Sequence, residues 1–343
     1  MSADVTAPAA KPQDNRIAKP SVLRRHGSQL AIVGVGVALW LAFVAAAPAV
    51  FTRPEIYNAF AQTTPLFAVI AIALTLVVIT GEIDLSFPSI MALGTAVFCI
   101  LTARYGVNHF VALIAALLVG AFCGWINGAL VALLNIPSLV ITIGTQFLFR
   151  GVELVMMNGT GVPLTADQYP EMHRLFREPI FGIPVQTVWA IVVLVIFWIL
   201  LNRTRFGAHV FLVGDNPTSA RLMGVNVGRV KIKAFMLVGV VATFAGLLTS
   251  IYGYYFWPTT GEGFLLNTIA SVFLGGTSVF GGTGSVIGTF VASYIIGAIN
   301  AGIVSAGINA FYTQVGFGFV IVVSVVLQTL VERRIRRQSL TGR

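Results

Sequence analysis

Charge is what this sequence lacks most. Charged residues make up 10% of its 343 positions, against roughly 25% in an average soluble domain. From 263 to 331 the chain runs 69 residues without one Asp, Glu, Lys, Arg or His. Crossing the hydrocarbon of a bilayer takes about 20 apolar residues, so this stretch holds about three spans and not one water-soluble core. Cysteine is nearly absent. Cys99 and Cys123 each lie inside an apolar run, which excludes a disulfide-stapled fold and a clustered metal site. They read as small buried hydrophobes. The chain has no G-x-x-x-x-G-K-[ST] segment, so it does not bind ATP through a phosphate loop. Also missing are a Ser/His/Asp set, H-E-x-x-H and C-x-x-C, which argues against an enzyme. Few ionisable residues lie within or beside apolar runs, among them Glu82, Asp84, Glu153 and His109. Ion-coupled carriers often place more of them within their spans.

What is present is apolar length. Hydrophobic residues make up 57% of the chain, and the pattern predicts an all-α polytopic membrane protein. Ten spans fit the runs, at about 29–50, 59–80, 87–103, 110–134, 138–157, 184–201, 234–256, 264–280, 285–308 and 311–331. A polar tail, 1–28, precedes a run too long for a signal-peptide core. The net charge of +9 sits at the ends of apolar runs, so it does not point to nucleic acid. Segments 1–28, 202–233 and 332–343 carry net charges of +3, +5 and +4, while 158–183 has two Arg against three acids. Basic flanks mark the cytoplasmic side. Six spans and then four separate the basic segments, so both termini are expected in the cytoplasm and 158–183 outside. The organisation expected is a cytoplasmic tail 1–28, a membrane domain 29–331 and a basic cytoplasmic tail 332–343. Five spans lie on each side of 158–183, which gives the halves opposite topology, as in inverted repeats. Each half carries a Gly/Pro-interrupted segment, 80–88 and 275–284, and such interruptions point to a transport path.

The basic segment 202–233 is too long for a simple turn. Asn216 suits a helix N-cap, Pro217 the first helical position and Gly224 the stop. A helix over 217–223 is predicted. So short a helix is marginal alone in water and must pack against something. It either rests on headgroups or receives force from a nucleotide-hydrolysing partner.

The same segment resembles the cytoplasmic loop of bacterial ABC-type monosaccharide permeases of the ribose/xylose/arabinose class. That loop reads R-T-x-F-G-R, then G-x-N-x-x-A-A-R-x-x-G-I. Here stand Arg203-Thr204-Arg205-Phe206-Gly207-Ala208, then Gly214-Asp215-Asn216, Ser219-Ala220-Arg221 and Gly224-Val225. Gly81-Glu82-Ile83-Asp84-Leu85-Ser86 is similar to the family's G-G-I-D-L-S, with Glu82 in place of Gly and Phe87-Pro88 following. Pro137 to Thr145, with Arg150-Gly151 after it, resembles P-x-F-I-V-T-L-G-T. Residues 274–284 resemble L-G-G-T-S-x-x-G-G-x-G, with Thr283 where Arg is usual. The matches keep their order from about 55 to 330. The resemblance implies a non-catalytic transport subunit of the bacterial cytoplasmic (inner) membrane that binds no cofactor itself. It implies a second permease copy, ABC ATPase subunits that use the ATP, and an extracytoplasmic solute-binding protein. The solute would be a monosaccharide or polyol. A nucleoside or branched-chain amino-acid permease and a stand-alone secondary transporter are the alternatives. Asn216, Pro217, Ala220, Arg221 and Gly224 would couple to the ATPase.

Single residues carry further expectations. Asp84 lies at a chain break, where its oxygens are expected to accept free backbone N–H groups at the start of the third span; solute contact and proton relay are the other readings. Gly275, Gly276, Gly281, Gly282 and Gly284 allow non-helical turns or close helix packing. Ser86, Asn127, Thr142, Thr145 and Asn300 are uncharged polar residues in or beside apolar runs. They either line a path or hydrogen-bond between helices, as does Gln146.

Overall fold

The computed structural model describes residues 47–305, 309 and 311–340, together with isolated positions between 34 and 45; side chains at 300, 304, 305 and 327–340 are not included. The 1–28 tail and most of the expected 29–50 span lie outside the described residues.

Among the described residues, seven helices are long and apolar enough to cross a membrane, and two shorter apolar helices, Phe264–Leu274 and Tyr312–Val326, accompany them. After a single helical turn, Pro48–Phe51, the order is α1 (Pro54–Ile79), α2 (Phe87–Cys99, continued by a π-turn, Ile100–Arg104), α3 (His109–Leu134), α4 (Ser138–Met157), α5 (Pro170–Phe176), α6 (Val185–Arg203), α7 (Arg205–Asp215), α8 (Pro217–Leu222), α9 (Val227–Tyr252), α10 (Phe264–Leu274), α11 (Val286–Ser305) and α12 (Tyr312–Leu340). The all-helical expectation has one small exception. Two-residue strands β1 (Val162–Pro163) and β2 (Tyr255–Phe256) pair antiparallel.

α1 is the centre of the bundle. Every residue from Thr64 to Ile79 is buried, under α6, α9, α10 and α11. In lipid there is no hydrophobic drive between helices, so close packing has to hold them. α3 and α9 show how. Gly120, Gly124 and Gly128 recur every fourth residue along α3 and form a flat strip. A Cβ on Gly124 would fall 2.8 Å from Met236 Cα, and one on Gly128 2.7 Å from Ile232 Cα, so the two backbones touch. α3, α4 and α6 turn apolar side chains outward, among them Leu118, Phe122, Phe147, Val155 and Ile196. Surfaces of this kind are stable in hydrocarbon and not in water.

The connections gather at two ends. At one end lie the 80–86 break, the 135–137 turn, α7, α8 and the 275–284 loop. At the other, Thr102 hydrogen-bonds Tyr169, His109 bonds Glu171, and the Leu164 N–H donates to Tyr254 O. The His109 ring holds the exposed Glu171 carboxyl below the usual carboxylate range. That contact therefore supports folding above this range and is lost only as pH falls through the lowered value.

Helix limits differ most from expectation in three places. α9 begins at Val227, within the basic segment, because Asn226 caps it by accepting from Arg229 N. The expected 264–280 span ends at Leu274, where Gly275 and Gly276 stop α10. The backbone of α12 continues through the basic 332–340 segment.

Candidate functional site

Local sequence builds α8 completely. Asn216 Oδ1 accepts from Thr218 N and Ser219 N, both at 3.0 Å. At the other end Val225 N bonds Ala220 O and Gly224 N bonds Arg221 O, each at 3.0 Å, with Gly224 at φ +81°. These are the two bonds of a Schellman stop, and buried Ala220 and Val225 supply its hydrophobic contact. The orientation follows. Ala220 is fully buried against this chain's own core, while Arg221, Leu222 and Met223 are exposed. Leu222 is 86% and Met223 61% exposed. Ala220 thus anchors the helix, and the next three residues form its outer face.

α7, which the sequence reading left unassigned, connects α8 to the breaks. Thr204 caps it by accepting from Gly207 N, and Gly207, Val210 and Val213 form its buried stripe. Its penultimate residue, Gly214, lies on backbone. A Cβ there would collide with the Ile79 carbonyl oxygen and fall 2.5 Å from Gly282 N. Gly282 N itself donates to Ile79 O at 2.9 Å. Gly281 and Gly282 hold φ of +84° and +77°, a conformation that side chains oppose. The 275–284 loop, the end of α1 and the end of α7 therefore meet backbone to backbone. At the other side of that loop, a Cβ on Gly275 would fall 2.5 Å from Thr289 N, and Gly276 turns the chain at φ +84°.

The 80–86 break is braced by α3, α4 and α9. Asp84 Oδ1 accepts from Ser86 N at 2.8 Å and from Ser86 Oγ at 2.7 Å, and Asn127 Nδ2 donates to Ser86 Oγ at 2.7 Å. Ile83 N donates to Ser138 Oγ at 3.0 Å. Thr142 Oγ1 donates to Ser138 O at 2.8 Å. Glu82 and Lys231 of α9 form an ion pair with side-chain exposures of 13% and 16%. Ser86, Asn127, Thr142 and Thr145 are all buried; the hydroxyls of Ser86 and Thr142 and the amide of Asn127 bond other groups of the chain, and Thr145 reaches Thr142 O at 3.5 Å. The Asn300 side chain lies outside the described residues.

Asp84→Asn keeps an acceptor for the Ser86 N–H, whereas Asp84→Leu leaves it unpaired and buried, at about 1–3 kcal/mol. Thermal unfolding of the purified protein is expected to show near-parental stability for Asn and a clear loss for Leu. Equal losses would place the weight on the charge. For the ion pair, Glu82→Lys and Lys231→Glu are each expected to destabilise. Their combination should recover a coupling of about 0.5–3 kcal/mol; an additive double variant would show that the two charges do not interact.

Sequence reasoning missed this pair because its members lie 149 residues apart. It missed α7 because an 11-residue amphipathic stretch beside a membrane segment reads as loop. One weak signal existed: Glu82 stands where the resembling family has Gly.

A family model described as branched-chain amino acid transport system / permease component matches residues 56–325. The chain is 34% identical over 283 residues to the ribose import permease protein RbsC of Escherichia coli (strain K12), covering 82% of this chain and 87% of that one. It is 31% identical to the fructose import permease protein FrcC of Rhizobium meliloti, covering 79% and 77%. It is 35% identical to the autoinducer 2 import system permease protein LsrC of Photorhabdus luminescens, covering 77% and 79%. No solved structure matches the chain. The chain therefore belongs to the ABC import permease family described as branched-chain amino acid transport system / permease component.

Proposed function

We propose that this permease subunit works as one of two copies that carry a monosaccharide or polyol inward across the bacterial inner membrane by alternating access. A separate ATPase drives it, and an extracytoplasmic binding protein delivers the solute. The substrate class rests on the relatives named for ribose and fructose import, since the family description names another solute. Ten spans make up the membrane domain: the seven long helices, the two shorter ones and the 29–50 run. The halves are five-plus-five and inverted, both termini are cytoplasmic, 202–233 is the coupling loop and 158–183 lies outside. Gathering of the basic 202–233 segment with both breaks at one end, and of 158–183 with 253–262 at the other, supports this orientation. The observation that carries the mechanism is the link from an exposed capped helix, α8, through Gly214 to the Ile79 and Gly282 backbones. Displacement of α8 would pull on both breaks together, and Asn216, Pro217, Ala220, Arg221 and Gly224 fix the shape of the handle.

The test is reconstitution with the ATPase and binding protein. Uptake of radiolabelled ribose or fructose is expected to need ATP and to stop when the ATPase is omitted. Uptake on an ion gradient alone would contradict the proposal. In sealed vesicles Ser219→Cys should be labelled only from the cytoplasmic side and Gln168→Cys only from outside.

A further inference from the structure

We propose that the cleft where α2 and α10 begin, against α4, is a waypoint for a neutral polyhydroxylated solute inside the membrane; it rests on the sugar-import reading above. α10 has 11 residues, about 16 Å of helix, so by itself it covers only about half of the roughly 30 Å of hydrocarbon in its span. The 253–262 loop therefore runs inward to meet the first turn of α2. A Cβ on Gly261 would fall 2.7 Å from Pro88 O. Arg150 of α4 stitches the junction by donating to the carbonyls of Pro258, Thr260 and Pro88. It lies seven residues before the end of α4, about 10 Å along the axis, so the junction falls within the spanning length.

A cleft of about 210 Å³ opens there, lined by Ser89, Gln146, Phe147, Arg150, Glu262 and Leu265. That is below the roughly 300–1,000 Å³ usual for drug-sized ligands and suits a monosaccharide. Ser89 is 1% exposed and its hydroxyl has no partner. A guanidinium has five N–H donors; three serve the carbonyls and Nε faces Glu262 Oε1 at 3.9 Å, so one remains available. Gln146 adds an amide, and Glu262, 58% exposed at its side chain, adds acceptors. Hydroxyls both donate and accept, so this mixed set satisfies them. A cation would meet the guanidinium, and an anion would meet Glu262. Leu265 gives the C–H surfaces of the ring an apolar wall.

The experiment uses the whole importer in proteoliposomes with radiolabelled ribose and fructose. Gln146→Ala and Glu262→Gln alter partly exposed side chains, so assembly with the ATPase should persist. Each is expected to slow uptake about tenfold, the loss of a hydrogen bond to a charged or buried site. Uptake at the parental rate in both variants overturns the cleft while leaving the import reading intact. A parental importer that takes up neither sugar overturns the import reading and the cleft with it. In a second measurement, Gln146→Cys is modified with a polar methanethiosulfonate reagent, the native Cys99 and Cys123 being buried. Protection by ribose supports the site, and a modification rate unchanged by ribose overturns it.

Discussion

Gly214→Ala is expected to abolish solute uptake, while Gly228→Ala, 14 residues on, leaves it unchanged. The two substitutions add the same methyl group to helical glycines. At 214 the new Cβ meets two backbones, the Ile79 carbonyl and Gly282 N at 2.5 Å. Neither can rotate away, so α7 must lift off the end of α1 and the 275–284 loop. Overpacking of this kind costs about 1–3 kcal/mol or more, and here it acts at the junction that joins the breaks. At 228 the nearest atoms are Asn226 Oδ1 at 3.6 Å and Ala132 Cβ at 3.8 Å, ordinary contacts. There alanine should stabilise the helix by roughly 0.5–1 kcal/mol. Solute uptake and thermal unfolding of the two purified variants give the comparison. Parental uptake by Gly214→Ala would remove the junction from the mechanism.

Much of this architecture was legible along the chain. The apolar run at 138–157 is the helix Ser138–Met157, and the run at 110–134 is His109–Leu134, because Asn-Ile-Pro punctuates them and lipid demands continuous helices. Asn216, Pro217 and Gly224 announced α8, since capping is local chemistry. Contacts between distant segments left no such mark. Nothing in Gly214 alone says that it touches Ile79, and nothing in Arg150 says that its carbonyl partners come from 88, 258 and 260. The direction in which a short helix faces was also invisible. Ala220 reads from sequence as part of a contact with a partner, yet the Schellman stop rolls it inward and leaves Leu222 and Met223 outside. Ala220→Asp would therefore damage the subunit itself. The polar residues at 86, 127 and 142 looked equally suited to a path or to bracing, and only their bonds to one another and to Ser138 show how they are used in this conformation.

The most direct test of partner-driven transport is the double variant Leu222→Asp/Met223→Asp, with ATPase co-purification and solute uptake measured on the same membranes. Both side chains are exposed in the subunit, and surface changes usually stay within about 0.5 kcal/mol, so insertion and folded amount should match the parent. If α8 seats in a groove of the ATPase, each buried unpaired carboxylate costs about 3–5 kcal/mol. At tenfold per 1.4 kcal/mol that lowers affinity by more than about a hundredfold. The predicted result is normal subunit levels, loss of the co-purifying ATPase and loss of uptake together. Parental uptake with the ATPase still bound would contradict coupling through this helix, and with it the mechanism by which the breaks are moved.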